Sequence, residues 1–439
     1  MKHLALRATM LAALAACQPV FADEIADLKA EIAAQKQAAE AQRQRLDALE
    51  QRLSGVQQQQ AATATPVPAT GTPMGVSFKQ GEGATLTAAG ASVTLYGLID
   101  VTLSHANHAN AAGDGLTTAR VAWFSGNRWG LTGKRPMGES GLNVIFRLES
   151  EFESQTGAQD TAGVLFNRDA WVGVQSDTIG KLTFGRQNAV ARDISGIYGD
   201  PYGAATASTD EGGYTNNNNF KQLIFYAGSA TGTRMDNGVV WKKAFDGGLV
   251  AALGYQFGGI AGDFSNGTTE TVALAYNGGT LNVAGYATSA KVAGLSDRSY
   301  SIGGNYTVGA VRLNAGAFRY NGEQGALGDR KDTAYTVSAK FAPAGKMDYE
   351  LGYQVMKADN AAVNGGGNVL NAFANASTAK ATATGSRSTL YGSVFYHFDK
   401  ITEVYIAADY LKLKDGYKVG VTNGFTSQTE LALGLRTRF

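Results

Sequence analysis

From about Ser92 to its last residue the chain alternates apolar and polar side chains with a period of two. Val93, Leu95, Gly97, Ile99, Val101 and Leu103 interleave with Thr94, Tyr96, Leu98, Asp100 and Thr102. In a strand these two sets occupy opposite faces. The alternation returns in 142–152, 248–257, 272–276, 281–286, 311–320, 335–341, 347–355, 390–398 and 404–413. Segments of about ten residues suit a tilted strand crossing a bilayer. Beyond the N-terminal stretch no apolar run is long enough for a membrane-spanning helix. The chain has 56 glycines against 7 prolines, 19 tyrosines, 19 phenylalanines and a net charge of +1. That composition departs from a soluble α/β enzyme and offers nothing to nucleic acid. It suits a β-barrel, but also a soluble all-β sandwich or repeat protein.

The connections separate those alternatives. Tight turns recur at 135–138, 176–180, 245–247, 277–279, 308–309, 342–345 and 399–400. Between them fall longer polar loops at 105–119, 154–163, 189–232, 259–268, 320–331, 358–385 and 414–428. Short turns on one rim and long loops on the other are the pattern of an outer-membrane barrel, here with about sixteen antiparallel strands. A sandwich has no reason to sort its loops by length. In the final strand Leu431, Leu433, Leu435 and Phe439 share one parity, and Glu430, Arg436 and Arg438 the other. An aromatic last residue on such a strand resembles the signal read by the outer-membrane assembly machinery, which assigns Phe439 that role.

The N-terminal part obeys other rules. Lys2, His3 and Arg7 precede the apolar stretch 8–16, and Val20-Phe21-Ala22 ends in the small residue required at a signal-peptidase cut. Residues 1–22 read as a signal peptide, with Asp23 opening the mature chain. Leu14-Ala15-Ala16-Cys17 also forms a lipoprotein box; on the first reading the only cysteine is removed, and on the second it is acylated. Over 23–56, Ile25, Leu28, Ile32, Leu46, Leu49 and Leu53 anchor a 3-4 spacing that also passes through Gln35, Ala39 and Gln42. This predicts a coiled-coil helix about 48 Å long. Residues 57–91, with four consecutive glutamines and three prolines between 66 and 73, read as a flexible linker. The barrel is expected over 92–439.

With these elements in place the sequence resembles the general, non-specific trimeric porins of Gram-negative bacteria, most closely the β-proteobacterial type. The resemblance rests on Ser92-Val93-Thr94-Leu95-Tyr96-Gly97 with Asp100, on 128–133, on Phe146-Arg147-Leu148-Glu149-Ser150, on 166–173, on Phe184-Gly185-Arg186-Gln187 and on the closing 434–439. It covers the chain from about Ser92 onward and leaves the coiled coil as an addition. It implies a homotrimer of sixteen-stranded barrels in the outer-membrane lipid. Each barrel would fold its third long loop inward and pass small hydrophilic solutes and ions by passive diffusion.

Arg128, Arg147, Arg168 and Arg186 fall on the lumen parity of the early strands, and Arg234 opens the strand after the long loop. A guanidinium facing lipid near the midplane would cost on the order of 2–4 kcal/mol, so these five are expected to form a basic wall on the pore. The resemblance sets acids of the third loop opposite such a wall. The candidates are Asp193, Asp200, Asp210 and Glu211, with Asp200 first because Asp200-Pro201-Tyr202-Gly203 falls at the loop tip. Five arginines against dispersed acids predict a weak anion preference.

Other functions find little support. His105 and His108 form a His-x-x-His pair on a loop without a third ligand, so no metal or cofactor is expected. His397, between Tyr396 and Phe398, reads as a member of an aromatic girdle rather than as half of a Ser–His pair, and no enzyme is expected. Three N-terminal helices could meet below a trimer as a periplasmic stalk that ties it together or reaches peptidoglycan. A trimeric adhesin also combines a coiled coil with a barrel, but its barrel is a small part of the chain. A substrate-specific channel for small organic anions would share the whole architecture.

Overall fold

The computed structural model describes residues 74–439 except 216–220, together with helical residues 32, 35–37, 40–45 and 47–49. The chain divides into two units, 1–71 and 72–439. In the first, Ile32 and Leu49 are helical and exposed. The expected signal peptide and the seam positions Ile25, Leu28, Leu46 and Leu53 lie outside the described residues.

The second unit begins earlier than the sequence suggests. Inside the stretch read as a linker, β1 (Gly75–Lys79) and β2 (Gly83–Ala88) form an antiparallel hairpin, in register from Gly75↔Thr87 to Lys79↔Gly83. Gly81 (φ 77°) and Gly83 (φ 97°) supply the left-handed backbone of its turn. β2 in turn pairs with β3 (Ala91–Ala106), so the ladder captures a segment whose composition alone reads as flexible.

Two short pieces follow, β4 (Leu116–Val121) and β5 (Arg128–Pro136), then β6 (Asn143–Glu151), β7 (Asp169–Ser176) and β8 (Gly180–Asn188). The third long loop separates these from β9 (Arg234–Ala244), β10 (Leu249–Gln256), β11 (Thr269–Asn277), β12 (Leu281–Val292) and β13 (Leu295–Val308). The remaining strands are β14 (Val311–Gly322), β15 (Arg330–Phe341), β16 (Met347–Ala362), β17 (Thr382–His397), β18 (Thr402–Lys414) and β19 (Ser427–Arg438). β3 and β5 through β19 pair antiparallel in order, and β19 returns to β3 with Leu433↔Leu103 and Arg438↔Leu98. That closure makes a barrel of sixteen strands with no open edge, the condition for placing strand backbone in hydrocarbon. The terminal residue completes the seam: Phe439 N–H donates to Gly97 O (3.0 Å) and Gly97 N–H to Phe439 O (2.9 Å). A Cβ at Gly97 would lie 2.2 Å from the Phe439 ring, so only glycine fits beneath it.

Strand faces follow the sequence parity. Leu274, Ile302, Val337, Leu351, Ile406 and Leu433 are exposed on the outside. Tyr276, Tyr306, Phe341 and Tyr396 flank them near the short turns, and Tyr300, Tyr335, Tyr353 and Tyr410 flank them toward the long loops. Two aromatic belts around an apolar band are the surface of a membrane barrel. Loop length sorts by rim, with one exception: Val292 and Leu295 pair across a two-residue turn on the long-loop rim, through Ala293 (φ 50°) and Gly294 (φ 83°).

The buried apolar core lies inside the barrel. Helix α1 (Val190–Gly199), the first part of the third long loop, packs against the lumen side of β10–β15. Ala252, Ala273, Ala275 and Ala284 line that wall, and such small residues let the helix approach closely beside Val190, Ile194 and Ile197. Tyr198 lies over Gly303 and Gly316, where a Cβ would come within 2.3 and 2.4 Å of its ring. Its hydroxyl meets Ser301 Oγ at 2.7 Å.

Candidate functional site

Two inward excursions narrow the lumen. The first is the segment 122–127 between β4 and β5, which sequence reading overlooked. β3 changes partner there, pairing with β4 above Val101 and with β5 below Leu98. Asp100, buried on β3, accepts the backbone N–H groups of Phe124 (3.2 Å) and Ser125 (3.0 Å) and the Tyr405 hydroxyl (2.6 Å). It therefore holds Phe124 inside the barrel against Tyr405 and Phe395. The second excursion is the third loop. Its tip residue Tyr202 packs against Phe124, ring centroids 4.2 Å apart and tilted by 58°, and hydrogen-bonds Ser393 on β17 (3.0 Å).

The four loop acids do not act alike. Asp193, in the first turn of α1, pairs with Lys242 and accepts from Asn188 Nδ2 and Gly212 N–H, both at 2.8 Å. Asp200 is buried and accepts from Tyr202 N–H (2.9 Å) and from the backbone and hydroxyl of Thr215 (2.8 Å to the hydroxyl). Burial pushes its carboxyl up to about 6. Both acids brace the loop, which corrects the expectation that Asp200 leads the acidic face; a carboxylate at a sharp reversal is consumed by the N–H groups the reversal leaves unpaired. Asp210 is exposed, 4.0 Å from Lys181. Glu211 accepts the indole N–H of Trp171 on β7 (2.9 Å), and burial, followed by the nearby Asp169, pushes its carboxyl up to about 7. Asp210 and Glu211 are the two that reach β7 and β8, at Lys181 and Trp171.

On the basic wall Arg147 donates to the Tyr96 hydroxyl (2.9 Å), which donates to Glu149 (2.8 Å). Arg128 bonds Gly126 O at 3.0 Å and approaches Glu149 at 3.9 Å. Arg168 bridges Glu149 and Glu151, and Arg234 carries a buried Nε without a hydrogen-bond partner. Arg186 is not part of the wall. It stands five residues from Lys181 on the same strand and pairs with the outward Ala170, so it lies on the outward parity, bound to Asn167 O (2.7 Å) and Asp236. Sequence reading also missed Lys181 on β8, Lys242 on β9 and Arg312 on β14, whose lumen parity was available to find them. Arg312 donates to Pro201 O and, at 3.1 Å, to Gly203 O, holding the loop tip.

Nearer the short-turn rim, His397 faces the lumen between Asp348 (3.1 Å) and Glu403 (2.9 Å), not the lipid girdle. Its position at the strand end made its parity ambiguous from the turn alone. His105 bonds Thr117 and His108 bonds Ser427 O while stacking on Phe425; they share no ligand.

A closed, lipid-faced barrel whose lumen is narrowed by a folded-in loop and lined with charge defines a membrane channel. The chain belongs to the Gram-negative porin family, whose model matches residues 76–416. It is 29% identical over 389 residues to an outer membrane porin protein of Bordetella pertussis, covering 79% of this chain and 94% of the relative. It is 26% identical over 377 residues to outer membrane porin protein 32 of Delftia acidovorans, covering 81% and 98%. Among solved structures, the anion-selective porin from Comamonas acidovorans shares the fold with a TM-score of 0.61 at 22% identity, covering 80% of this chain and all of that one. The chain is an outer-membrane porin that forms a water-filled channel.

Proposed function

We propose that the protein is a general diffusion porin with a weak preference for anions, set by which member of most lumenal ion pairs meets the water. At Arg128–Glu149 the side chains are 23% and 4% exposed, at Arg147–Asp169 27% and 3%, and at Arg438–Glu403 32% and 6%. In these pairs the carboxylate stands behind the cation, so a passing solute meets guanidinium first although the chain as a whole is nearly neutral; Lys181–Asp210, with the acid exposed, is the counterweight that keeps the preference weak. The anion selectivity of the Comamonas acidovorans porin supports the same reading. Nothing in the wall singles out one solute, which favours a general pore over a channel for one organic anion.

A homotrimer in outer-membrane lipid is part of this proposal, supported by the OmpT of Vibrio cholerae, of similar fold and also solved in a trimer form. So is a role for Phe439 in recognition by the assembly machinery. The 23–56 heptads are proposed to form a periplasmic three-stranded stalk that ties the trimer or reaches peptidoglycan. Planar-bilayer recording under a salt gradient tests the central claim. Ohmic openings in groups of three with an anion-favouring reversal potential are expected. A cation-favouring potential refutes the proposed selectivity, and saturating conductance blocked by one anion class refutes the general pore.

A further inference from the structure

We infer that the outer face of β11–β18 carries a binding site for a phosphorylated glycolipid of the outer leaflet. Two adjoining cavities, about 500 and 470 Å³, form a furrow down the outside of the barrel and share Val272 and Ala287. The furrow exists because the outward row of β12 is small, with Gly285, Ala287 and Ser289 between bulkier neighbours on β11 and β13. Its lower part is apolar, walled by Leu274, Val283 and Ile302. Its upper part ends at Tyr255 and Tyr300, with Arg298 above and Glu270 as its single carboxylate. An apolar trench capped by an aromatic belt and a guanidinium fits an acyl chain with an anionic head.

The charge continues sideways. Arg298, Arg319, Lys331, Lys357, Lys412 and Lys414 all point outward near the long-loop ends of β13–β18, and all are exposed. None of the six has an ion pair or side-chain hydrogen bond among the described residues. The register aligns them: one row runs Glu270–Ser289–Arg298–Asn321–Lys331 and the next Tyr300–Arg319–Thr333–Lys357–Ser386–Lys414. Cations two strands apart are spaced by about 10 Å, enough to engage separate phosphates of one head group. On the same strands the short-turn half has no outward lysine or arginine, and the outward residues of β5–β7 on the long-loop side, such as Trp129, Leu148 and Ala170, are uncharged. The basic rows thus mark one leaflet and one sector of the barrel. Arginine suits the task because its planar fork binds phosphate oxygens in pairs.

The test uses the intact barrel in dodecyl maltoside and native mass spectrometry with bis-phosphorylated lipid A, compared with the same lipid after removal of both phosphates. The wild-type protein is expected to retain the phosphorylated lipid and release the other. Arg298→Gln/Arg319→Gln/Lys331→Gln is expected to weaken retention on the order of a hundredfold, and Ala287→Phe to weaken it by filling the furrow. Channel conductance should stay unchanged in both, because these residues lie outside the lumen, and this separates failure of the lipid site from failure of the pore. Equal retention of the two lipids by the wild-type protein overturns the inference whether or not any variant folds. Undiminished retention by the folded triple variant overturns it too.

Discussion

The position of α1 rests on two glycines, and adding one methyl group tests it. In Gly316→Ala the new Cβ would lie 2.4 Å from Cδ2 and 2.9 Å from Cε2 of Tyr198, where ordinary contact starts at 3.4 Å. Its other neighbour, Thr336 Cγ2 at 3.4 Å, is no obstacle, so the whole conflict is with the tyrosine ring. Tyr198 is fully buried. The ring must retreat by about 1 Å toward the lumen, because close-packed surroundings leave no other direction. Overpacking of this kind costs about 1–3 kcal/mol, and stretching the 2.7 Å bond to Ser301 adds about 1 kcal/mol. Because α1 carries the third loop, the displacement narrows the pore. Single-channel recording should show lower conductance, and the folded barrel should lose heat resistance. Gly316→Ala/Tyr198→Ala removes the clash and should restore conductance to the wild-type level or above. Wild-type conductance and heat resistance in Gly316→Ala, or a double variant as narrow as the single, would refute the reasoning.

Three further outcomes follow from the same lumen. Arg147→Gln, which uncovers Glu149 and Asp169, should move the reversal potential in a salt gradient toward cations, whereas Arg186→Gln, off the wall, should leave it unchanged. Glu211 has its carboxyl raised to about 7, so it takes up a proton and loses its negative charge as pH falls through that value; anion preference should rise between about pH 8 and about pH 6, and Glu211→Gln should flatten that part of the profile. Asp100→Ala leaves the N–H groups of Phe124 and Ser125 and the Tyr405 hydroxyl without their acceptor, at about 1–3 kcal/mol for each buried donor. The inward segment 122–127 should then loosen, seen as noisier open-channel current and a lower unfolding temperature.

The sequence by itself determined the barrel, the sorting of its loops and the closing strand. A period of two is a local property: each residue's face follows from its neighbour's, and lipid outside against water inside writes that parity into every strand. Arg128 and Arg147 were legible on the same ground, since a guanidinium on the lumen parity has one place to go. Tertiary structure decided what parity cannot carry. Arg186 is the exception, because parity did carry it: five residues from lumenal Lys181 and paired with outward Ala170, it falls outside the wall. Asp193 and Asp200 are acids on the expected loop, yet they turn toward Lys242 and Thr215, partners 49 and 15 residues away. The segment 122–127 enters the lumen because Asp100 and Tyr405, 305 residues apart, meet only once β19 has closed on β3. Which charges face the pore thus depends on contacts made after closure, and no local pattern records them.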